Sequence, residues 1–146
     1  RVRANAVEAM ALVGDLSLVD PILPCLHDKN NRVRANAIMT LWKLGHYQIY
    51  DSVIEMLRNP DKWMRSSAAF ALGEVNDTRF FPVLVQCLRD PDSDVRRNVV
   101  RSLGKLAEPF MVAPYIRHLR FDPDEAVRKA VSDILTAPPK KPQVNK

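Results

Sequence analysis

The chain has 146 residues, of which 47% are hydrophobic and 27% charged, and its formal net charge is +5. This length suits one compact domain or one short repeat array, and the ordinary charge content excludes wholesale disorder. No apolar run reaches the roughly 20 residues of a membrane span, and two cysteines are too few for a disulfide scaffold. Three of the 22 basic residues lie in the last seven positions, and the rest of the chain has 19 basic and 17 acidic residues. This small excess of positive charge gives weak support for nucleic-acid binding.

The spacing of apolar residues predicts nine helices. A lone helix near residues 2–13 comes first, and four helix pairs follow near 16–44, 47–75, 78–106 and 109–136. In the second helix of a pair, apolar residues recur at i, i+4, i+8 and i+11, which marks one buried stripe. The clearest stripe is Val33, Ala37, Leu41 and Leu44.

The segments between these helices carry start and stop signals. The first helix of a pair is shorter, with a proline near its first turn at Pro21, Pro82 and Pro114. N-caps of the second helices are expected at Asp61, Asp92 and Asp124. Left-handed C-caps are expected at Gly14, Gly45 and Asn76.

The chain also repeats itself. An apolar residue followed by Arg recurs at steps of 31, 31, 31 and 32 residues, from Val2-Arg3 to Val127-Arg128, and a leucine series keeps the same spacing. One amphipathic helix pair cannot bury both of its faces, so neighbouring pairs must stack. The sequence therefore predicts an all-α fold, a right-handed α-solenoid of antiparallel helix pairs with a period of about 31 residues.

These repeats resemble the HEAT-repeat family, in the short bacterial form known from phycobilin lyases. The shared pattern is an Asp at the end of the first helix, an Arg six residues later, and an Ala/Leu-rich helix that ends in Gly. The corresponding pairs are Asp28–Arg34, Asn59–Arg65, Asp90–Arg96 and Asp122–Arg128, with Asn59 as a neutral variant. The resemblance implies that these pairs link neighbouring repeats through charge-assisted hydrogen bonds. Contact with a phosphate backbone is the alternative role for the arginines.

The expected organisation is a repeat array over residues 1–137, followed by a Pro/Lys-rich tail or linker at 138–146 that is expected to be disordered. The array divides into a partial repeat at 1–15 and full repeats at about 16–46, 47–77, 78–108 and 109–137. Because Arg1 falls inside a repeat, we expect a fragment of a larger HEAT-repeat protein, with a degenerate capping helix as the alternative.

The sequence carries no recognisable catalytic or metal-binding motif. Its three histidines occupy different registers and none precedes Glu, unlike the His-Glu iron ligands of the HEAT-repeat deoxyhypusine hydroxylases. No catalytic residue of the phycobilin lyases maps onto the chain. Cys25 and Cys87 are expected to be free thiols, as in a reducing compartment. We therefore expect a cytoplasmic protein that is not an enzyme and needs no cofactor or metal.

In such arrays the second helices line the concave surface, and their outward positions are expected to bind a partner. A turn of 100° per residue places the second, sixth and ninth residues after the first stripe residue opposite the core. These positions hold Ala4, Glu8, Ala11, Ala35, Met39, Trp42, Ser66, Phe70, Gly73, Arg97, Arg101, Gly104, Lys129, Asp133 and Thr136. Asn5, Asn36, Ser67 and Asn98 lie beside them, and the amides of the three asparagines offer hydrogen bonds to an extended backbone.

The predicted binding surface combines an apolar cluster with a basic strip. The cluster is Met39, Trp42 and Phe70, the strip is Arg97, Arg101, Lys105 and Lys129, and Lys43 and Glu74 complete the set. Aromatic residues and Arg are typical of interface hot spots. We therefore expect a non-catalytic scaffold that binds a partner peptide or helix with an apolar anchor and acidic residues. The alternatives are nucleic-acid binding by the basic strip and a role as a subunit of a lyase-type enzyme complex.

Overall fold

The computed structural model describes residues 2–141, and within this range the regular secondary structure is all helical, with no strand. The α-helices are α1 (Val2–Val13), α2 (Val19–Ile22), α3 (Asn31–Lys43), α4 (Tyr50–Leu57), α5 (Lys62–Val75), α6 (Phe81–Cys87), α7 (Ser93–Leu106), α8 (Pro109–Ile116) and α9 (Glu125–Leu135). Turns of 3-10 helix occupy Leu16–Leu18, Leu23–His27, Thr78–Phe80 and Arg117–Phe121. Two prolines, Pro21 and Pro24, lie in the segment that breaks into the short α2 and a 3-10 turn, because each removes a backbone donor that a longer α-helix needs.

The helices stack as the repeats predicted. The second helices α1, α3, α5, α7 and α9 each pack on the next, and the segments that contain α2, α4, α6 and α8 cover them on one side. The stripe from Val33 to Leu44 is at most 7% exposed, and the equivalent stripes of α5 and α7 are buried as well. One continuous apolar core results. The predicted all-α solenoid is thus confirmed, while its right-handed sense and its period stay predictions.

The helix ends follow the predicted signals. Each predicted N-cap accepts a hydrogen bond from a backbone N–H at the start of its helix. The pairs are Asp61 with Trp63 at 2.9 Å, Asp92 with Asp94 at 2.9 Å and Asp124 with Val127 at 3.1 Å. The left-handed residues are Gly14, Gly45 and Asn76, with φ of 68°, 79° and 55°. One prediction is wrong, because Pro114 lies in the second turn of α8, whereas Pro109 holds the first.

Part of the expected tail lies against the array. The backbone N–H of Lys140 donates to the Glu108 carboxylate at 2.9 Å, and its ammonium donates to the Lys105 carbonyl at 2.8 Å. These contacts hold residues 138–141 beside the junction of α7 and α8. Arg1 and residues 142–146 lie outside the described residues.

Candidate partner-binding face

Polar side chains join the second helices along their flanks. The Asn36 amide donates to the Ala4 carbonyl at 2.9 Å, which ties α3 to α1. The Ser102 hydroxyl donates to the Ala69 carbonyl at 2.6 Å, which ties α7 to α5 in the same way. Each bond satisfies a polar group that helix–helix packing would otherwise leave buried and unpaired.

This packing corrects several predicted outward positions. The side chains of Ala4, Ala35 and Ser66 are buried rather than open to a partner. Gly73 is buried too, and a Cβ atom built on it would lie 2.5 Å from the Ser102 hydroxyl oxygen. The prediction treated each second helix as buried on one side only. In the structure each inner second helix also packs on both neighbours, so the second and ninth positions of α3 and α5 are partly or fully covered.

Two asparagines of the predicted series already donate hydrogen bonds to neighbouring second helices. The Asn36 amide already binds Ala4, and the Asn98 amide donates to the Ser66 hydroxyl at 2.8 Å. Both amides therefore lie on the flanks where second helices meet, and their binding to an extended backbone stays a prediction.

Trp42 is also placed differently from the prediction. Its indole packs against the core and meets the rings of Tyr47 and Phe80, with centroids 4.6 and 5.9 Å away, while the Arg79 guanidinium lies 5.5 Å from its centroid. Trp42 lies in the last turn of α3, where the following loop and the turn before α6 supply these neighbours. It is therefore a packing residue of this aromatic cluster and not an open anchor.

Residues of the predicted binding surface do come together on the second-helix face. Met39, Lys43, Phe70 and Glu74 line one pocket of about 350 Å³ with Glu8, Ala11, Asn36 and Thr40; we call this pocket the groove. Phe70 is 46% exposed, and Met39 is half-buried beside it. The groove therefore offers an apolar floor with charged side chains of both signs at its edge.

Acidic neighbours neutralise most of the basic strip. Lys105 forms an ion pair with Glu74 and lies 5.5 Å from the centroid of the Phe70 ring. The other two pairs are Arg97–Asp94 at 3.0 Å and Lys129–Asp133 at 3.0 Å. Arg101 is exposed and forms no ion pair with any residue in the range 2–141. The strip thus presents less net positive charge than the sequence alone indicates.

Two arginines of the Asp/Asn–Arg series join consecutive repeats through the next aspartate along the chain. Arg65 donates to both carboxylate oxygens of Asp90 at 2.7 and 3.1 Å, and Arg96 does the same to Asp122 at 2.8 and 2.9 Å. Toward the residue six positions earlier, each arginine donates only to the backbone carbonyl, at 2.9 Å for Asn59 and 2.8 Å for Asp90. The carboxylate partner therefore lies 25 or 26 residues ahead, in the following repeat.

The remaining members of the series vary. Where Asn59 replaces Asp, the buried Arg34 donates instead to Glu55 at 3.1 Å. The Arg128 guanidinium donates a hydrogen bond to the backbone carbonyl of Asp122 at 2.7 Å. The Asp28 carboxylate forms an ion pair with the Arg3 guanidinium at 3.5 Å. The loss of the charge at position 59 thus coincides with a new acidic partner from α4.

These pairs also set the electrostatics of the array. The Arg96 guanidinium holds the pKa of the Asp122 carboxyl below its usual value, and the bond to Asp122 raises the pKa of Arg96. Both side chains are largely buried, so their mutual attraction is screened less than that of a surface pair. The pair is therefore charged at neutral pH.

The described residues show no metal or membrane feature. Among residues 2–141, no three His, Cys, Asp or Glu side chains are grouped to hold a metal ion. None of the helices in this range is long and apolar enough to cross a bilayer. Cys25 and Cys87 are free and half-buried, and burial raises the pKa of the Cys87 thiol.

Comparison with known proteins agrees with this architecture. A family model described as HEAT repeats matches residues 1–51 and 50–136. The chain belongs to the HEAT-repeat family. Its fold is similar to that of a chain in the complex of CpcE and CpcF of phycocyanin lyase from Nostoc sp. PCC7120, with a TM-score of 0.66 and 23% sequence identity. The match covers 92% of this chain and 59% of that one, so this HEAT array spans about three fifths of its neighbour. A search of curated protein sequences finds no match.

A second apolar surface of this HEAT array lies on the layer of first helices, outside the predicted binding surface. Phe81, Phe110, Met111 and Tyr115 border a hollow of about 530 Å³ between α6 and α8; we call it the α6–α8 hollow. A signal for it was present, because the segment Pro109–Ile116 contains no charged residue and is apolar on more than one side.

Proposed function

We propose that this chain is a non-catalytic scaffold module that binds a segment of a partner protein in the groove on its second-helix face. The observation that carries this proposal is the grouping of Met39 and Phe70 in one groove with Lys43 and Glu74. An exposed aromatic side chain in a concave setting is typical of a binding hot spot. The groove lies where α1, α3 and α5 pack directly on one another, so it is present without the partner.

The charges of the groove favour a partner that carries both apolar and acidic residues. Glu74 is engaged by Lys105, whereas Lys43 at the same rim is exposed and Arg101 lies one helix further along. A peptide or helix that inserts an apolar side chain between Met39 and Phe70 can therefore place carboxylates near Lys43 and Arg101. Glu8 at the opposite edge favours an uncharged or basic residue there.

The nucleic-acid alternative has less support than this protein-binding role. Three of the four basic-strip residues are paired with Glu74, Asp94 and Asp133, and breaking those pairs offsets part of the gain from phosphate contacts. Binding through several phosphates would weaken by orders of magnitude between about 50 and 200 mM salt, whereas an apolar anchor responds little.

A role in a lyase-type complex is the second candidate, and the likeness to a chain of the CpcE–CpcF complex supports it. In that case the array would act as one subunit of an enzyme complex. The direct check is an absorbance spectrum of a free bilin chromophore with and without the protein. A spectral shift that Phe70→Ala removes would favour this candidate over the scaffold.

The test of the scaffold proposal is affinity capture from nuclease-treated lysate, followed by site-specific crosslinking. Wild type is compared with Met39→Ala/Phe70→Ala, and Trp63→Ala serves as the matched control because Trp63 is 53% exposed but outside the groove. We expect the groove variant to bind its partner about 10- to 100-fold more weakly and the control to bind normally, since hot-spot truncation costs about 2 kcal/mol or more.

Crosslinking identifies the surface that is in contact. A photoreactive residue at position 70 is expected to crosslink the captured protein, whereas the same residue at position 63 is not. Equal capture by wild type and the groove variant would contradict the proposal. Capture that is seen in untreated lysate and disappears after nuclease treatment would favour the nucleic-acid alternative. All variants must keep the helical circular dichroism of the wild type.

A further inference from the structure

We infer that the array contains a hinge at the junction of α3 and α5, and that bending at this hinge widens and narrows the groove. The groove lies across the junction, because Met39 and Lys43 belong to α3 whereas Phe70 and Glu74 belong to α5. The hinge is a property of the array whatever the groove binds. Only its effect on a bound partner rests on the proposed function.

Cross-helix hydrogen bonds join the second helices on either side of this junction. The Asn36 amide and the Thr40 hydroxyl of α3 each donate to a backbone carbonyl of α1, at 2.9 and 3.2 Å. In the same register, the Asn98 amide and the Ser102 hydroxyl of α7 donate to backbone carbonyls of α5, at 3.3 and 2.6 Å. Such directional bonds limit how far one helix slides or rolls on its neighbour, whereas apolar contacts are not directional. Helices α1 and α3 therefore form one body, and α5 and α7 form another.

The junction of α3 and α5 lacks these cross-helix bonds. One repeat after the two donors of α3, the sequence of α5 has Ser67 and Ala71. Ala71 carries no donor, and the Ser67 hydroxyl instead accepts a hydrogen bond from the Asn31 amide at 2.6 Å. Within residues 2–141, no side chain of α5 donates to a backbone carbonyl of α3. The two bodies are therefore held together on this side by apolar packing and by one bond between side chains.

The charged contact that joins consecutive repeats is also weaker at this junction. Two later arginines of the series each bind both carboxylate oxygens of an aspartate in the next repeat. Arg34 has Asn59 at that position, and it donates one bond to the exposed Glu55 and one to Ser52 at 3.4 Å. Arg34 is only 4% exposed, and its Nε atom has no acceptor among the described residues. A buried charged donor without an acceptor destabilises the closed junction.

Among the junctions between second helices in residues 2–141, only this one lacks both kinds of contact. Helix α9 has Ala130 and Ile134 at the donor positions, but the bidentate pair of Arg96 and Asp122 joins its repeat to the one before. The junction of α1 and α3 has both cross-helix bonds, and the junction of α5 and α7 has these bonds and a bidentate pair. Bending of the array is therefore concentrated between α3 and α5.

The hinge axis lies in the layer of first helices. The Ser52 hydroxyl of α4 donates to the Leu26 carbonyl of the preceding pair at 3.1 Å, and Arg34 also contacts α4. These contacts hold the first-helix side closed, so the second-helix side is the one that opens. A rotation of about 15° moves a side chain that lies about 10 Å from the axis by roughly 3 Å. The width of the groove therefore changes with the hinge angle.

The experiment measures the distance distribution between two spin labels across the hinge, by double electron–electron resonance on the full chain. The labels replace Glu8 on α1 and Arg101 on α7, because both side chains are exposed and neither makes a cross-helix bond. Noncanonical amino acids carry the labels, so that Cys25 and Cys87 stay unchanged. We expect a broad distribution for the wild type.

Two independent variants are expected to stiffen the hinge. Asn59→Asp supplies a carboxylate for Arg34, and Ala71→Ser supplies a hydroxyl at the missing donor position. We expect each to narrow the distribution and the two together to narrow it by about 3 Å, with loss of its long-distance part. Gln86→Glu is the matched control, because it adds the same charge as Asn59→Asp on an exposed position of α6, and it should leave the distribution unchanged. All variants must keep the helical circular dichroism of the wild type.

Two results would overturn the inference. One is a distribution of equal width in the wild type, Asn59→Asp and Ala71→Ser, which would show that the missing contacts do not loosen the junction. The other is equal narrowing by Gln86→Glu and Asn59→Asp, which would assign the effect to net charge rather than to Arg34. The measurement uses no partner, so a groove that binds no protein would contradict the proposed function and leave the hinge intact.

Discussion

The buried pair of Arg96 and Asp122 allows a direct test of how the repeats are joined. Asp122 is 6% exposed, and both of its carboxylate oxygens accept bonds from Arg96. We predict that Asp122→Asn lowers the free energy of unfolding by about 3 kcal/mol, because a buried charge loses its counter-ion. This is the low end of the usual range, since Arg96 keeps bonds to the carbonyls of Asp90 and Pro91.

The assay is urea unfolding at neutral pH, followed by far-ultraviolet circular dichroism. Asp133→Asn is the matched control, because it removes an exposed pair with Lys129 whose side chains are 61% and 72% exposed. We expect a loss of less than about 0.5 kcal/mol for this control. Equal losses in the two variants would refute the view that the buried pair holds consecutive repeats together.

The pH dependence has a definite sign. Arg96 lowers the pKa of Asp122 in the folded chain, so the unfolded chain takes up the proton first as the pH falls. The stabilisation is complete above the unfolded pKa, about 4, and is lost as the pH falls through the lower folded value. The stability difference between wild type and Asp122→Asn should therefore shrink below about pH 4. A difference that stays constant in acid would contradict the reasoning.

Two further variants test the packing of the second helices. Gly73→Ala should lower the free energy of unfolding, measured in urea, by about 1–3 kcal/mol, because the added Cβ would lie 2.5 Å from the Ser102 hydroxyl oxygen. A variant that unfolds at the same urea concentration as the wild type would show that α5 and α7 can move apart there without cost. Trp42→Ala should lower it by about 2 kcal/mol through lost contacts with Tyr47 and Phe80, and should leave binding at the groove intact. If Trp42→Ala weakened partner binding but left the free energy of unfolding unchanged, Trp42 would belong to the binding surface.

Much of the fold could be predicted from the sequence because its signals are local. The stripe of Val33, Ala37 and Leu41 depends only on the 3.6-residue periodicity of one helix, and all three residues are buried. An N-cap such as Asp124 acts within three residues of itself. Such features need no knowledge of neighbouring repeats.

The binding face was harder to predict because it depends on distances between helices. Ser66 and Gly73 look outward on an isolated helix, yet α7 covers both in the array. The partner of Arg96 also lies in space rather than in sequence, since Asp122 is 26 residues away and Asp90 only six. Trp42 is covered by Phe80, which belongs to the pair after the next one. A sequence period identifies equivalent positions, but it does not measure how closely equivalent helices approach.

The close stacking has a consequence for how such an array can vary. A second helix that is packed against a first helix and against both neighbouring second helices keeps only a narrow strip open, centred on the sixth residue after the first stripe residue. That strip reads Glu8, Met39, Phe70, Arg101 and Asp133, one side chain from each second helix, and Met39 is the most covered of them. The four exposed side chains can change without disturbing a stripe, a cap or an arginine–aspartate pair, whereas Met39 also packs against the core. Together with the exposed Lys43 and Glu74, these positions therefore let partner choice change while the free energy of folding stays nearly constant.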